Sequence, residues 1–323
     1  MRAGLVVAPG EVRCIEAAPP SAGPAAVVVR TRVAALCGSD LHAVYLPLEG
    51  EPFPLPPGAP GHEAVGVVVD PGAGPFAPGQ RVLTAPVLPG AACFAELQAV
   101  AATSCLALGD EIDDDDAVLA QPLGTVIFAL RPLLAERVPE SAAVIGQGAI
   151  GLFFTRLLAR AGVERIVAAE PIAARRRLAR RFGARAAAAP GARFAEALAE
   201  TVGSGGAELV IEASGTDAGR IAAIEAVAID GRMLFFGLPE GGRMDGFPYA
   251  LFFRRRVRAR ATYGSQHEAD LASYREALAL LASGAVPAAA LNGRRFPIER
   301  IDAAFAAAEN AKETLIKALV HFD

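Results

Sequence analysis

The stretch Ser141–Gly151, SAAVIGQGAIG, constrains this chain more than any other. An apolar run, Ala142–Ile145, ends in glycines at Gly146, Gly148 and Gly151, and a helix-forming run follows at once. GxGxxG at a strand-to-helix junction is a turn for phosphates. Gly146 permits the tight bend, Gly148 lets backbone approach a pyrophosphate, and Gly151 lets the helix lie close on the strand. The helix expected over Ala149–Ala161, with Ala149 and Ile150 in its first turn, offers free N–H groups and a positive dipole end to the anion. A second strand, Arg165–Ala169, ends at Glu170, 19 residues after Gly151, where an acid accepts hydrogen bonds from ribose hydroxyls. A carboxylate there repels a 2′-phosphate and so favours NAD over NADP. The opposing signal is the run Arg175, Arg176, Arg177, Arg180 and Arg181, which on a helix spreads into a solvated face.

From about residue 125 the alternation continues. Strands are expected at Glu208–Ala213, Arg232–Gly237 and Arg258–Tyr263, and helices at Ile172–Phe182, Ala218–Ala228 and Asp270–Ala282. Such alternation makes a doubly wound parallel sheet covered on both faces. Ala186–Ala189 reads as a short connection. Before residue 125 the rhythm differs: short β-branched runs at Leu5–Ala8, Ala26–Ala34, Val65–Val69 and Gln80–Val87 lie between Pro and Gly, and Pro54–Pro60 reads as extended. The tail, Phe296–Phe322, is expected to hold a helix and a last strand at Thr314–Val320. A chain of 323 residues exceeds one ordinary core, so two domains of α/β class are expected.

Composition then removes whole classes of function. At 53% hydrophobic the chain has ample material for a core, and a net charge of −4 provides no field for nucleic acid. The longest apolar stretch, Ala142–Gly162, contains Gln147, Arg156 and Arg160, so no membrane span is expected. The first residues are too short an apolar run for a signal peptide. Four scattered cysteines, at 14, 37, 93 and 105, make no disulfide framework, which places the protein in a reducing, cytoplasmic compartment. Basic residues are nearly all Arg; only Lys312 and Lys317 are Lys, a bias of the source. The acidic run Asp110–Asp116 reads as a solvated loop and helix start, and His267 and His321 as surface residues.

Two motifs carry metal chemistry. Cys37-Gly-Ser-Asp-Leu-His42 and Gly61-His62-Glu63 supply a thiolate, an imidazole and a carboxylate, each beside a loop-forming glycine. That mixture suits the borderline-soft preference of zinc. Cys14, Cys93 and Cys105 lack a CxxC partner and read as buried apolar side chains.

In order and spacing, CGSDLH, GHEAVGVV, GQRV and VIGQGAIG resemble the zinc-dependent medium-chain dehydrogenase/reductase (alcohol dehydrogenase) family, nearest its polyol and threonine dehydrogenase branches. The resemblance covers essentially the whole chain, including PIERIDAAF near its end. It implies a GroES-like catalytic domain from residues 1–123 and 267–323 and a Rossmann domain over 124–266. It implies one catalytic Zn2+ held by Cys37, His62 and, in some states, Glu63, with Asp40 orienting His62. Ser39 would hydrogen-bond the substrate oxygen, His42 would end a proton relay through the cofactor ribose, and Thr125 would lie near the nicotinamide. The partners implied are a small alcohol or carbonyl substrate and a second copy of the chain, as homodimer or homotetramer, paired at the edge strand near Arg258–Tyr263.

Two departures stand out. Only Cys93 lies between Arg81 and Ala101, so the family's four-cysteine structural zinc lobe is absent. Gln121 stands where relatives have Glu, which removes a negative charge from the metal's surroundings and favours water as fourth ligand. Three rivals stay open. Gln121 keeps in view a zinc-independent quinone or enone reductase using NADPH, against which CGSDLH and GHE count. The others are a non-catalytic nucleotide-binding protein and a Rossmann methyltransferase, for which Cys37, His62 and Glu63 would have no use.

Overall fold

Two sheets of different construction organise the chain, a mixed one built from both chain ends and a parallel one built from the middle. The fold is that of a computed structural model, which describes residues 1–323 other than Ala22, Pro24, Leu48, Glu49, Pro89, Asn292 and Asp323. It divides into two units, Met1–Thr125 with Ser265–Asp323, and Val126–Gly264.

In the first unit a seven-stranded sheet runs in the order Arg295–Pro297, Leu319–His321, Ala26–Ala35, Ala64–Asp70, Arg81–Thr84, Cys105–Ala107, with Leu97–Ala101 also paired to Ala26–Ala35. The C-terminal strand is therefore the immediate neighbour of the strand that leads into Cys37, with Val320 opposite Ala34 and Leu319 opposite Ala35. On the other side Ala34 faces Ala64, just after Glu63. Valines 27, 29, 68, 82 and 100 form one buried cluster, and a second is centred on Phe94, Leu36 and Phe305, with the two rings edge to face at 5.6 Å.

The second unit is a six-stranded sheet in the order Ala186–Ala188, Arg165–Ala169, Ser141–Ile145, Ala207–Glu212, Val227–Phe235, Arg258–Ala261, parallel throughout. Numbered along the chain this is 3-2-1-4-5-6, the doubly wound dinucleotide-binding order, whose switch point lies beside the first strand. Ser141–Ile145 is buried along its whole length, as a strand covered on both faces must be.

The structure corrects several local readings. Ala186–Ala188 is the sheet's edge strand, not a connection; three alanines carry no strand signal, and pairing to Val167–Ala169 decides the matter. The helix Ala192–Val202 follows it, burying Phe194 and Leu198. Pro57–Pro60 turns instead of extending, because Gly58, at φ 86°, lies against the Ala92 carbonyl. The last strand is Leu319–His321, later and shorter than Thr314–Val320. Among the described residues, the helical stretch long and apolar enough to be considered is Asp114–Glu136, not Ala142–Gly162. By length and composition it could cross a membrane, but 72% of its apolar window is buried inside the protein, as in a core helix.

Candidate metal and dinucleotide sites

Three adjacent strand ends assemble the first site. Cys37 follows the strand Ala26–Ala35 and caps the helix Gly38–Tyr45, whose N-terminus favours negative charge on its sulfur. His62 and Glu63 immediately precede the strand Ala64–Asp70, and the Ala35 N–H donates to the Glu63 carbonyl at 3.0 Å. Gly61 lets this loop lie flat on Phe94, since a Cβ there would stand 2.7 Å from the ring. Among the described residues, the group of His, Cys, Asp or Glu whose donor atoms converge is Cys37, His62 and Glu63, all within 4.8 Å of one another. His62 and Glu63 are buried and Cys37 is half-buried.

The surroundings of the trio fix its orientation. The His62 Nδ1 lies 3.1 Å from Asp40 Oδ1 and 3.2 Å from the Pro60 carbonyl, which leaves Nε2 for the cluster. Asp40, fully buried, accepts the Cys37 N–H on its other oxygen at 2.8 Å, so one carboxylate braces two members of the trio. Burial disfavours a charged His62 ring, yet Asp40 and then Cys37 outweigh it and hold its pKa well above the ordinary value. Ser39 Oγ stands 3.5 Å from His62 Nε2, and His42, half-buried, lies three residues on along the same helix face.

One participant has no motif. Lys317, just before the C-terminal strand, is buried and places Nζ 2.5 Å from Glu63 Oε2 and 3.0 Å from the Leu36 carbonyl. Burial opposes its charge, but Glu63 and Cys37 raise its pKa above the usual value. The signal available in the sequence was compositional. A chain that writes nearly every cation as Arg has Lys at this buried position, where its compact ammonium meets one carboxylate oxygen and one carbonyl.

The pair leaves Glu63 Oε1 buried with no hydrogen-bond partner among the described residues. In a metal-bound form, where Cys37 is a thiolate and the His62 ring must be neutral, Glu63 and Asp40 as further anions and Lys317 as cation give a formal charge of −2, which a divalent ion neutralises. Sulfur, nitrogen and oxygen donors with an orphaned carboxylate oxygen fit zinc. Gln121 is also buried, on the first turn of the helix Ala120–Glu136. Thr125, one turn later, is half-buried, and its hydroxyl donates to the Gln121 carbonyl at 3.2 Å.

The second site is the glycine turn, in the second unit. Gly146 adopts φ 89° and lies against the Ser214 backbone, a conformation and a contact that a side chain would both oppose. A Cβ on Gly151 would stand 1.9 Å from the Gly146 carbonyl oxygen, so the helix Ala149–Arg160 approaches the turn only because residue 151 has none. Gly148 is different: its Cβ would meet only Arg175 Nη1, at 3.9 Å, leaving an open cradle beside the helix start at Ala149 and Ile150. Glu170, buried, accepts the Gln147 N–H at 2.7 Å on one oxygen and the Ile172 N–H at 3.0 Å on the other. Each oxygen keeps a second lone pair, enough for a ribose diol. Cradle, helix start and acid fit a dinucleotide.

The arginine run is less solvated than its helical spacing implies. Arg176 donates to the Glu170 and Pro171 carbonyls, and Arg180 to that of Ala187. Burial lowers the pKa of Arg175, with Glu170 opposing. The acidic run is also partly structural. Asp113 caps the short helix Asp114–Ala117, but Asp115 is buried between Arg295, at 2.6 Å, and His321, at 3.0 Å. His321 therefore lies against a buried carboxylate and is not a free surface residue. Cys93 and Cys105 are buried, and burial pushes both thiols up to about 12, whereas Cys14 is only half-buried.

Comparison with known proteins matches residues 23–121 to the alcohol dehydrogenase GroES-like domain and residues 149–283 to zinc-binding dehydrogenases. A probable zinc-binding alcohol dehydrogenase of Mycobacterium tuberculosis is 30% identical over 270 residues, 74% of this chain and 68% of that protein. The L-threonine 3-dehydrogenase of Caldanaerobacter subterraneus subsp. tengcongensis is 28% identical over 251 residues, 68% of this chain and 71% of that one. Among solved structures, the alcohol dehydrogenase of Thermus sp. ATN1 superposes with a TM-score of 0.85 at 24% identity, covering 99% of both chains. The 2R,3R-butanediol dehydrogenase of Bacillus subtilis gives 0.82 at 22%, again over 99% of both. At those identities the two structures attest the fold.

Proposed function

The chain belongs to the zinc-type medium-chain dehydrogenase (alcohol dehydrogenase) family, and from that premise we propose that it oxidises a secondary alcohol or polyol reversibly, with zinc at Cys37, His62 and Glu63 and NAD as hydride acceptor. As a family member it is a dehydrogenase of CH–OH donors that uses zinc and NAD(P). The observation that carries the reading is the convergence of donor atoms from Cys37, His62 and Glu63, whose carboxylate also keeps an unpartnered buried oxygen, in a chain that also carries the glycine turn.

When bound, zinc supplies Lewis acidity toward the substrate oxygen and the dinucleotide accepts hydride. The chain's own residues do the rest. Asp40 holds the His62 ring and the Cys37 backbone in register, so the donors need little rearrangement. Lys317 restrains one Glu63 oxygen and leaves the other for the metal. The Ser39 hydroxyl accepts the substrate's O–H proton and releases its own toward the solvent side, where His42 takes it up. Gly148 admits the pyrophosphate, and Glu170 holds the ribose hydroxyls and disfavours a 2′-phosphate, hence NAD.

The test is metal analysis with a panel of secondary alcohols and polyols, each with NAD+ and NADP+. The expected result is one zinc ion per chain and NAD-linked turnover that chelation abolishes. Full activity without metal, or NADPH-dependent enone reduction without alcohol oxidation, would sink the reading. The homo-oligomer is proposed at the strand Arg258–Ala261, whose four residues are all exposed, beside exposed Tyr249, Phe253 and Tyr263. A free strand edge flanked by aromatics is suited to pairing with its own copy. Light scattering should give a multiple of the 33.2 kDa chain mass, and a monomer would contradict it.

A further inference from the structure

The chain-wide charge of −4 conceals a segregation by unit. The second unit, Val126–Gly264, holds 20 of the 31 basic residues and 13 of the 35 acids, a formal charge of +7, which leaves −11 on the first. A source that writes Lys as Arg changes neither sign, so its bias does not account for this asymmetry. The excess is concentrated on the helices Ala149–Arg160 and Ala173–Phe182, which pack together and carry seven arginines and no acid.

The helix Ala173–Phe182 buries Ala179 and Phe182 and turns Arg176, Arg177, Arg180 and Arg181 to the opposite face. Arg176 with Arg180, and Arg177 with Arg181, are like charges one turn apart. Arg175 and Arg176 also stand in the first turn, where the dipole favours acids. Both features cost helix stability, and no acid within the helix offsets them. Elsewhere in the unit arginines meet carboxylates: Arg137 with Glu208, Arg165 with Glu140, Arg256 with Asp230 and Arg258 with Glu136. Here the anchors are neutral carbonyls, which hold Arg176 and Arg180 and leave their charge in place. Gly183, which ends the helix, lies where a Cβ would stand 2.4 Å from that of Ala159, so exposed Arg160 and Arg185 join the same surface. Among the described residues, Arg160, Arg177, Arg181 and Arg185 have no carboxylate within ion-pair distance. One exposed acid, Glu164, lies on the turn after the first helix.

Such a face calls for an anion, and what it lacks narrows the kind. Between Val138 and Ile229 no large apolar side chain is exposed among the described residues. There is thus no aromatic for an unstacked base, nothing to enter a lipid surface, and no anchor for a protein interface. What it offers is a rigid row of guanidinium forks, which match phosphate. A duplex presents phosphates at regular spacing with its bases stacked inside. We propose that Arg160, Arg177, Arg181 and Arg185, together with Arg176 and Arg180, dock on the phosphodiester backbone of duplex DNA without reading its sequence. None of the six belongs to the metal site or the glycine turn, so this docking does not depend on the dehydrogenase reading.

The test is fluorescence anisotropy of the full-length protein with short labelled DNA duplexes of several sequences. Neutralising four phosphates gives a slope of about −3.6 in log affinity against log salt, so affinity should fall about 150-fold between about 50 and 200 mM salt. All sequences should bind alike. Arg177→Gln with Arg181→Gln should halve the slope, and so should Arg160→Gln with Arg185→Gln, outside the helix Ala173–Phe182. Arg243→Gln, an exposed arginine elsewhere in the unit, should leave the slope nearly unchanged. Both double variants should bind ADP-ribose as the wild type does. The first should also melt no lower, since it relieves like charges on one helix. No duplex binding at the lower salt, a strong sequence preference, or an equal loss in Arg243→Gln would each overturn the proposal. So would single strands or phosphatidylglycerol vesicles bound in preference to the duplex. Double variants that keep duplex affinity and lose only NADPH affinity would assign the arginines to a 2′-phosphate and also overturn it.

Discussion

Lys317→Met is expected to destabilise the metal-free protein by about 3–5 kcal/mol, the cost of leaving one member of a buried ion pair without its partner. Methionine fills similar volume, so little of the loss is cavity. Glu63, fully buried, would then have neither Lys317 nor metal beside its carboxylate. Chemical denaturation in the presence of a chelator measures the effect. Adding Glu63→Gln should restore most of the stability, because a neutral pair replaces a lone buried charge. The Lys317 pKa is raised above its ordinary value, so its contribution is complete below that value and is lost only as pH rises past it. The difference between variant and wild type should therefore stay constant across neutral pH. A loss below about 1 kcal/mol, as for an exposed pair, would mean that water reaches the site.

Cys37→Ala should lower kcat/KM for alcohol oxidation by about a thousandfold or more, since the Lewis acidity it helps to hold supplies several kcal/mol of transition-state stabilisation. The variant should also bind less zinc. ADP-ribose affinity should not change, because the glycine turn belongs to the other unit. Activity above a tenth of wild type in a preparation without zinc would remove the metal from the reaction. Asp40→Asn should fall between the two, keeping all three donors while losing the charge that turns Nε2 of His62 toward them.

The parallel sheet was legible because its signals are local. Ala142–Ile145, the three glycines and Glu170 lie within 30 residues, and each carries its own chemical reason. Ala186–Ala188 was not legible, since alanine prefers no strand and the neighbouring strand makes it one. The metal motifs were legible as residue types, but Lys317 was not. It meets Glu63 across 254 positions, and nothing around LIKAL marks it except the rarity of Lys. Asp115 looked solvated as part of a charged run, until Arg295 and His321 arrived from the far end of the chain.

By itself, then, the sequence determined the donor types, the phosphate turn and the strand–helix rhythm, because each depends on neighbours within a few turns or strand lengths. Only the tertiary structure decided which Glu63 oxygen is held and which is free. The strand order sets that: Leu319–His321 pairs beside Ala26–Ala35, which pairs beside Ala64–Asp70, and this places a C-terminal lysine against a carboxylate from the first quarter of the chain. Burial then makes that meeting consequential, since a charge removed from water must find its partner in the fold.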